Sequence, residues 1–156
     1  MIGDIMGPSK TIKVLQKNST PEKKKSVAIL ILDQTQAWAS TLRRTQWLED
    51  QKRNFSEAFQ KVGVTSYEIV EREDLSRCDK DYLVTIEVEQ ATAFNLKVDS
   101  TTTRLKAALV VTLADKRTDK VLAKIAGTSE NNEWTYDLNK FTSNLLKEML
   151  QKIYAQ

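Results

Sequence analysis

From Tyr82 to Ile125 the chain keeps a period of two, and that periodicity constrains the fold more than any other feature. Tyr82, Val84, Ile86 and Val88 fall on one side, with Thr85 and Glu87 among the residues opposite. Leu105, Ala107, Leu109, Val111 and Leu113 repeat the pattern against Arg104, Lys106 and Thr112. Val121, Ala123 and Ile125 return it after the turn Asp115-Lys116-Arg117-Thr118-Asp119. Alternation of this kind suits strands with one covered face and one wetter face, joined as antiparallel neighbours. The covered face needs apolar cover from elsewhere in the chain.

Two helical stripes can supply that cover. Leu48, Phe55, Phe59 and Val62 are spaced by seven, four and three, with Ala58 alongside, so they share one side of a helix starting between Thr35 and Thr41. Trp47 neighbours this stripe and is expected in the core. Gly63 follows it, where a left-handed C-cap is easiest for glycine. Leu138, Phe141, Leu145, Met149 and Ile153 form the second stripe, broadened by Leu146 and Leu150, with Asp137 as its N-cap.

Ahead of these, Val27-Ala28-Ile29-Leu30-Ile31-Leu32 is a short unbroken apolar run, the pattern of a strand covered on both faces or placed centrally. Tyr67-Glu68-Ile69-Val70 is a further short strand, and the strand that starts at Tyr82, or its continuation, resumes at Phe94, Leu96 and Val98 after a softer patch at 90–93. The expected fold class is α+β: a two-layer sandwich, its sheet mostly antiparallel, with two amphipathic helices on one face in the order β-α-β-β-β-β-α.

The chain's 156 residues are most simply a single domain. Residues 1–25 carry six of the lysines against Asp4 and Glu22, and the rest of the chain sums to −1. With Gly3, Gly7, Pro8 and Pro21 they read as a flexible basic leader or tether, leaving residues 26–156 as one domain. No stretch approaches the ~18 apolar residues of a membrane span.

Catalytic chemistry is poorly provided for. The chain has no histidine, one cysteine and four glycines, so a triad, a Cys/His metal cluster and a glycine-rich phosphate cradle are all missing. Cys78 has no imidazole to activate it and reads as an incidental turn residue, although Arg77 and Lys80 flank it. Asp79 with Asp81, and Glu71 with Glu73 and Asp74, read as solvated turn carboxylates. Glu71 and Arg72 are expected to form an ion pair that fixes the turn. No cofactor and no metal are expected, and the protein is read as a non-enzyme.

Three segments resemble the small α/β lipoprotein domains of the bacterial cell envelope, over roughly residues 26–129. The run from Phe55 through Gly63 to Tyr67-Glu68-Ile69-Val70-Glu71-Arg72-Glu73-Asp74-Leu75 is similar to the helix, strand and arginine turn of the curli-secretion lipoprotein and of outer-membrane activators of peptidoglycan synthases. Asp81-Tyr82-Leu83-Val84-Thr85-Ile86-Glu87-Val88 resembles their next strand, and the hairpin from Leu109 to Leu122 resembles theirs. The chain departs from that pattern where only residues 76–80 separate the arginine turn from the following strand, and where Asp119 replaces the hairpin glycine. In running directly into strands and ending on a helix it looks more like the lipopolysaccharide-assembly lipoprotein.

The resemblance implies a lipidated cysteine followed by a polar tether, with residues 2–25 as the tether and Met1 where that cysteine would stand. It also implies a periplasmic or outer-membrane location, and a role in binding a protein partner or assembling a secretion or biogenesis complex. Trp38 and Trp134 stand in polar surroundings, where a large ring either folds over the sheet or anchors a partner. With Tyr136, Arg43 and Arg44 they are the candidate contact residues. Two other classes remain for comparison: a cytoplasmic module binding nucleic acid through the lysine leader, and a carboxylate-only enzyme acting on a glycan.

Overall fold

The computed structural model describes residues 9–34, 41–95, 103–133 and 137–155, with side chains described except at 41–45, 94–95, 103 and 133. Six strands form one sheet. In chain order the elements are β1 (Ser9–Lys17), β2 (Val27–Asp33), α1 (Thr41–Lys61), β3 (Tyr67–Ile69), a 3-10 turn (Arg72–Arg77), β4 (Tyr82–Asn95), β5 (Thr103–Asp115), β6 (Val121–Glu133) and α2 (Leu138–Ile153). The spatial order is β1-β6-β5-β4-β2-β3. β1/β6, β6/β5 and β5/β4 are antiparallel, whereas β2 pairs in parallel with both β4 and β3. From Val27 onward the order of elements is the expected one, and the class is α+β.

The alternating residues fill the side beneath the helices. Val84, Ile86, Leu105, Leu109, Val111, Leu113, Ala123 and Ile125 share a core cluster with Phe55 and Phe59 of α1 and Leu145, Leu146, Met149 and Leu150 of α2. Trp47 joins them, 7% exposed. Burying an aliphatic or aromatic side chain contributes about 2 kcal/mol, so the two stripes hold both helices to the sheet. Where the helices meet, the fully buried Gln51 donates from Nε2 to Ser143 Oγ at 3.3 Å.

β2 explains its unbroken apolar run. Val27 and Ile29 face the helices, yet Ala28 and Leu30 are also buried, at 0 and 6% exposed. The chain leaving β3 must pass β2 to reach β4, and the right-handed rule for parallel crossovers sends it across the face that α1 leaves open. The 3-10 turn lies in that crossing, held by Lys116 Nζ donating to the carbonyls of Leu75 (3.2 Å) and Cys78.

Local stops follow the sequence. Asp137 caps α2 by accepting the Lys140 N–H at 2.9 Å. Gly63 has φ +96 just beyond α1. Asp119 has φ +59, a left-handed conformation that aspartate is among the few residues to visit.

Three expectations change. The softer patch at 90–93 is continuous strand: the register shifts between Val88 and Gln90, and this bulge turns Ala91 toward the core. Leu96 and Val98 lie outside the described residues. The expected Glu71–Arg72 pair gives way to Glu71 Oε1 against Lys52 Nζ of α1 at 3.3 Å, which ties the turn to the helix. The largest correction concerns the leader. Its Ser9–Lys17 segment is the edge strand β1, paired with β6 from Ser9↔Glu130 to Lys17↔Ala123. Ile12 packs against the core while Lys10, Lys13 and Lys17 occupy other positions of the strand, so an edge strand with one apolar contact reads in sequence as a basic linker.

Candidate functional site: the sheet edges and a charged network

The candidate contact residues named from sequence cannot be assembled into a site. Trp38, Trp134 and Tyr136 lie outside the described residues. Arg43 and Arg44 belong to the first turn of α1, but their side chains are outside the description.

The lysines of the leader are placed. Lys10 pairs with Glu148 of α2. Lys17 Nζ donates to the carbonyls of Lys152 (3.1 Å), Ile153 and Ala155 (3.1 Å), capping the negative end of α2. Lys25 pairs with Glu22 at 3.1 Å. Three of the six lysines are thus engaged, and the segment that carries Lys10, Lys13 and Lys17 is a strand of the sheet.

Of the acidic turn residues, Glu71 and Asp81 have structural duties. Asp81 Oδ2 accepts from the Ser26 N–H (3.0 Å) and hydroxyl (3.1 Å), and these bonds hold its carboxyl below the usual range. That clamp ties the start of β2 to the start of β4. Cys78 is a free, partly buried thiol. Among the described residues no three His, Cys, Asp or Glu side chains gather to hold a metal, and no helix is long and apolar enough to cross a membrane.

A charged network that sequence reading missed sits on the sheet face away from the helices. Arg104, 4% exposed, donates to Asn132 Oδ1 at 3.0 Å and forms an ion pair with Glu130. Lys106 Nζ lies 3.0 Å from Glu130 Oε1. The Arg104 bond, then that from Lys106, holds the Glu130 carboxyl below the ordinary glutamate range. Register brings the three together, since Lys106 opposes Glu130 and Arg104 opposes Asn132. A carboxylate shared by two cations is a strut, with no general base or acid in it.

The clefts are open and polar. One of about 330 Å³ lies between the helices and includes Asn54, Glu57, Lys140 and Lys147. Another of about 360 Å³ lies where β1 and β6 meet α2, between Lys10, Asn131 and Phe141. Two carboxylates, Glu57 and Asp137, line the first of these, and Asp137 is committed to capping α2.

The edges of the sheet carry the more distinctive chemistry. Val14 and Leu15 of β1 are 49% and 48% exposed, the exposed large apolar side chains among the described residues. They sit at a register shift, with Lys10 and Lys13 further along the strand. At the opposite edge, Tyr67 and Ile69 of β3 are half-buried, and the exposed acids Glu71, Glu73 and Asp74 follow.

No protein-family model matches this sequence, and no curated protein does. Among solved structures the chain is similar to PelC from Paraburkholderia phytofirmans, solved as a dodecamer, at 14% identity and a TM-score of 0.68, covering 95% of this chain and 99% of that one. A variant of that dodecamer in another crystal form gives 15% identity and a TM-score of 0.66, covering 93% and 99%. A DUF330 protein from Xanthomonas campestris gives 10% identity and a TM-score of 0.51, covering 89% of each chain. At these identities the likeness is one of fold, and it spans nearly the whole of each partner.

Proposed function

We propose that this chain is a non-enzymatic domain of the bacterial cell envelope, carried as a lipoprotein at the periplasmic side of the outer membrane, that works by assembling with further copies of itself. The observation that carries this reading is the match of 95% of the chain to the fold of a protein solved as a dodecamer. The resemblance of the Phe55–Leu75 region, the following strand and the hairpin to envelope lipoproteins supports the compartment. The non-enzymatic part is supported by the absence of histidine from the sequence and by the engagement of Asp81 and Glu130 in structural bonds.

Trp38, Trp134 and Tyr136, with Arg43 and Arg44, remain proposed as contacts for another envelope protein. A single acyl chain holds a protein only marginally at a membrane, so a multimer with one anchor per subunit gains stable attachment by avidity.

The test uses the gene with its native upstream codons, expressed in a bacterium and followed by fractionation and whole-cell cross-linking. The expected result is a protein that sediments with the outer membrane, loses that location when an upstream cysteine is replaced by serine, and cross-links into multimers. A cytoplasmic monomer overturns the reading.

A further inference from the structure

Resting on the membrane location proposed above, we infer that the end of the domain where β2 and β4 begin is a docking surface for an anionic lipid bilayer. Five segments meet there. Asn18 donates to the carbonyls of Leu122 and Val121 beside the β5–β6 turn, and Thr20 donates to the Ala155 carbonyl after α2. Lys23 lies against Gly63 just beyond α1. Asp81 accepts from Ser26, and the Lys116 N–H donates to the Asp81 carbonyl.

Charge is segregated onto this end. Segments 17–26, 61–66, 75–82, 115–122 and 151–155 carry eleven cations and five acids, a balance of +6, so the rest of the chain sums to −3. Three of the five acids are engaged: Glu22 with Lys25, Asp81 with Ser26, and Asp115 with the N–H groups of Arg117 and Thr118. Lys23, Lys24, Lys61, Arg117, Lys120 and Lys152 are exposed and have no ion pair among the described residues. They come from four separate segments, so the fold gathers them, and no local basic run announces the surface.

A cationic end alone suits many polyanions, and the apolar pair beside it favours lipid. Val14 and Leu15, the exposed large apolar side chains among the described residues, precede Lys17 by three and two positions. Leu15 is the residue that the β1 bulge leaves without a partner in β6. Cations beside half-exposed apolar side chains suit the membrane interface, where the charges meet headgroups and the apolar groups reach the acyl boundary. Single-stranded nucleic acid would call for exposed rings to stack on, whereas Tyr82 and Tyr154 at this end are buried. The acids Glu73 and Asp74 stand on the crossing over β2, four strands from β1. The lipid-facing corner is therefore the one between the β1 edge and this end.

Each lysine or arginine held near an anionic surface adds to the attraction, which salt screens. One acyl chain anchors only marginally, and a basic patch is among the second signals that make attachment stable.

The test pellets the full-length protein, without an acyl chain, with vesicles of phosphatidylglycerol and phosphatidylethanolamine or of phosphatidylcholine alone. The natural chain is compared with three variants shown to be folded by circular dichroism: Lys24→Glu with Lys120→Glu, Val14→Ser with Leu15→Ser, and, as a control of equal charge change on the helices, Arg53→Glu with Lys140→Glu. The expected result is salt-sensitive binding of the natural chain to the anionic vesicles and none to the neutral ones. Lys24→Glu with Lys120→Glu weakens it by about tenfold or more, the serine pair weakens it too, and the control stays close to the natural chain. No binding to anionic vesicles overturns the lipid surface and leaves the fractionation result of the lipoprotein reading standing. Equal weakening in the control reduces the effect to net charge and overturns the assignment to this end. Binding unchanged by the serine pair overturns the bilayer as the occupant, in favour of a soluble polyanion.

Discussion

The ammonium of Lys17, the last residue of β1, stands 3.1 Å from the carbonyl oxygen of Lys152 in the final turn of α2. A further bond to Ala155 makes the contact a cap on the helix as well as a bridge between strand and helix. A cation at a helix C-terminus typically contributes up to about 1 kcal/mol. Lys17→Met is expected to lower unfolding stability by about 1 kcal/mol, measured by urea denaturation. Lys13→Met, two positions beyond the bulge and without such a contact, is the matched control and should change it by less than about 0.5 kcal/mol.

Glu130 gives a pH dependence of known sign. Its folded pKa lies below the ordinary value of about 4.3 because Arg104 and Lys106 favour the carboxylate. The stability it contributes is present above the ordinary pKa and is lost as pH falls through the folded one. Glu130→Gln should therefore melt at a lower temperature than the natural chain at about pH 7, and the gap should close toward about pH 3. A gap that stays constant across that range contradicts the assignment.

Gly127 lies on the helix-facing side of β6 beneath α2. A Cβ there would stand 2.7 Å from Met149 Sδ and 3.2 Å from Leu145 Cδ1. Gly127→Val is expected to destabilise by about 2 kcal/mol through overpacking. Met149→Ala in the same chain should recover part of the loss, so the double mutant should be more stable than the two single effects predict by addition. Chemical denaturation of the four proteins checks it.

The turn at Asp119 provides a prediction of the opposite direction. At φ +59 glycine meets no steric penalty, so Asp119→Gly should raise stability by about 0.5 kcal/mol. At Gly63, with φ +96, substitution by alanine should cost about 1 kcal/mol. Thermal melts of both variants distinguish the two directions.

What the sequence revealed and what it hid follow from how strongly burial shapes each segment. Phe55 and Phe59, or Leu145 and Met149, bury whole side chains under a strict helical spacing, and the strands from Tyr82 to Ile125 bury every second residue. Their periods are therefore unmistakable. β1 buries little besides the side of Ile12 and spends its other positions on Lys10, Lys13 and Lys17, two of which serve α2. Its basic, linker-like appearance is the signature of an edge. Arg104, Lys106 and Glu130 were visible as charges, but their meeting depends on the β5/β6 register, which no local pattern encodes. The aromatic candidates Trp38, Trp134 and Tyr136 were selected for polar surroundings alone and lie outside the described residues, whereas the edge residues Val14 and Leu15 were hidden within the supposed tether.

Sedimentation velocity of the purified full-length protein over a range of concentrations tests the central claim most directly. The account predicts a discrete multimer that dissociates on dilution. A protein that sediments as a monomer at every concentration would contradict it.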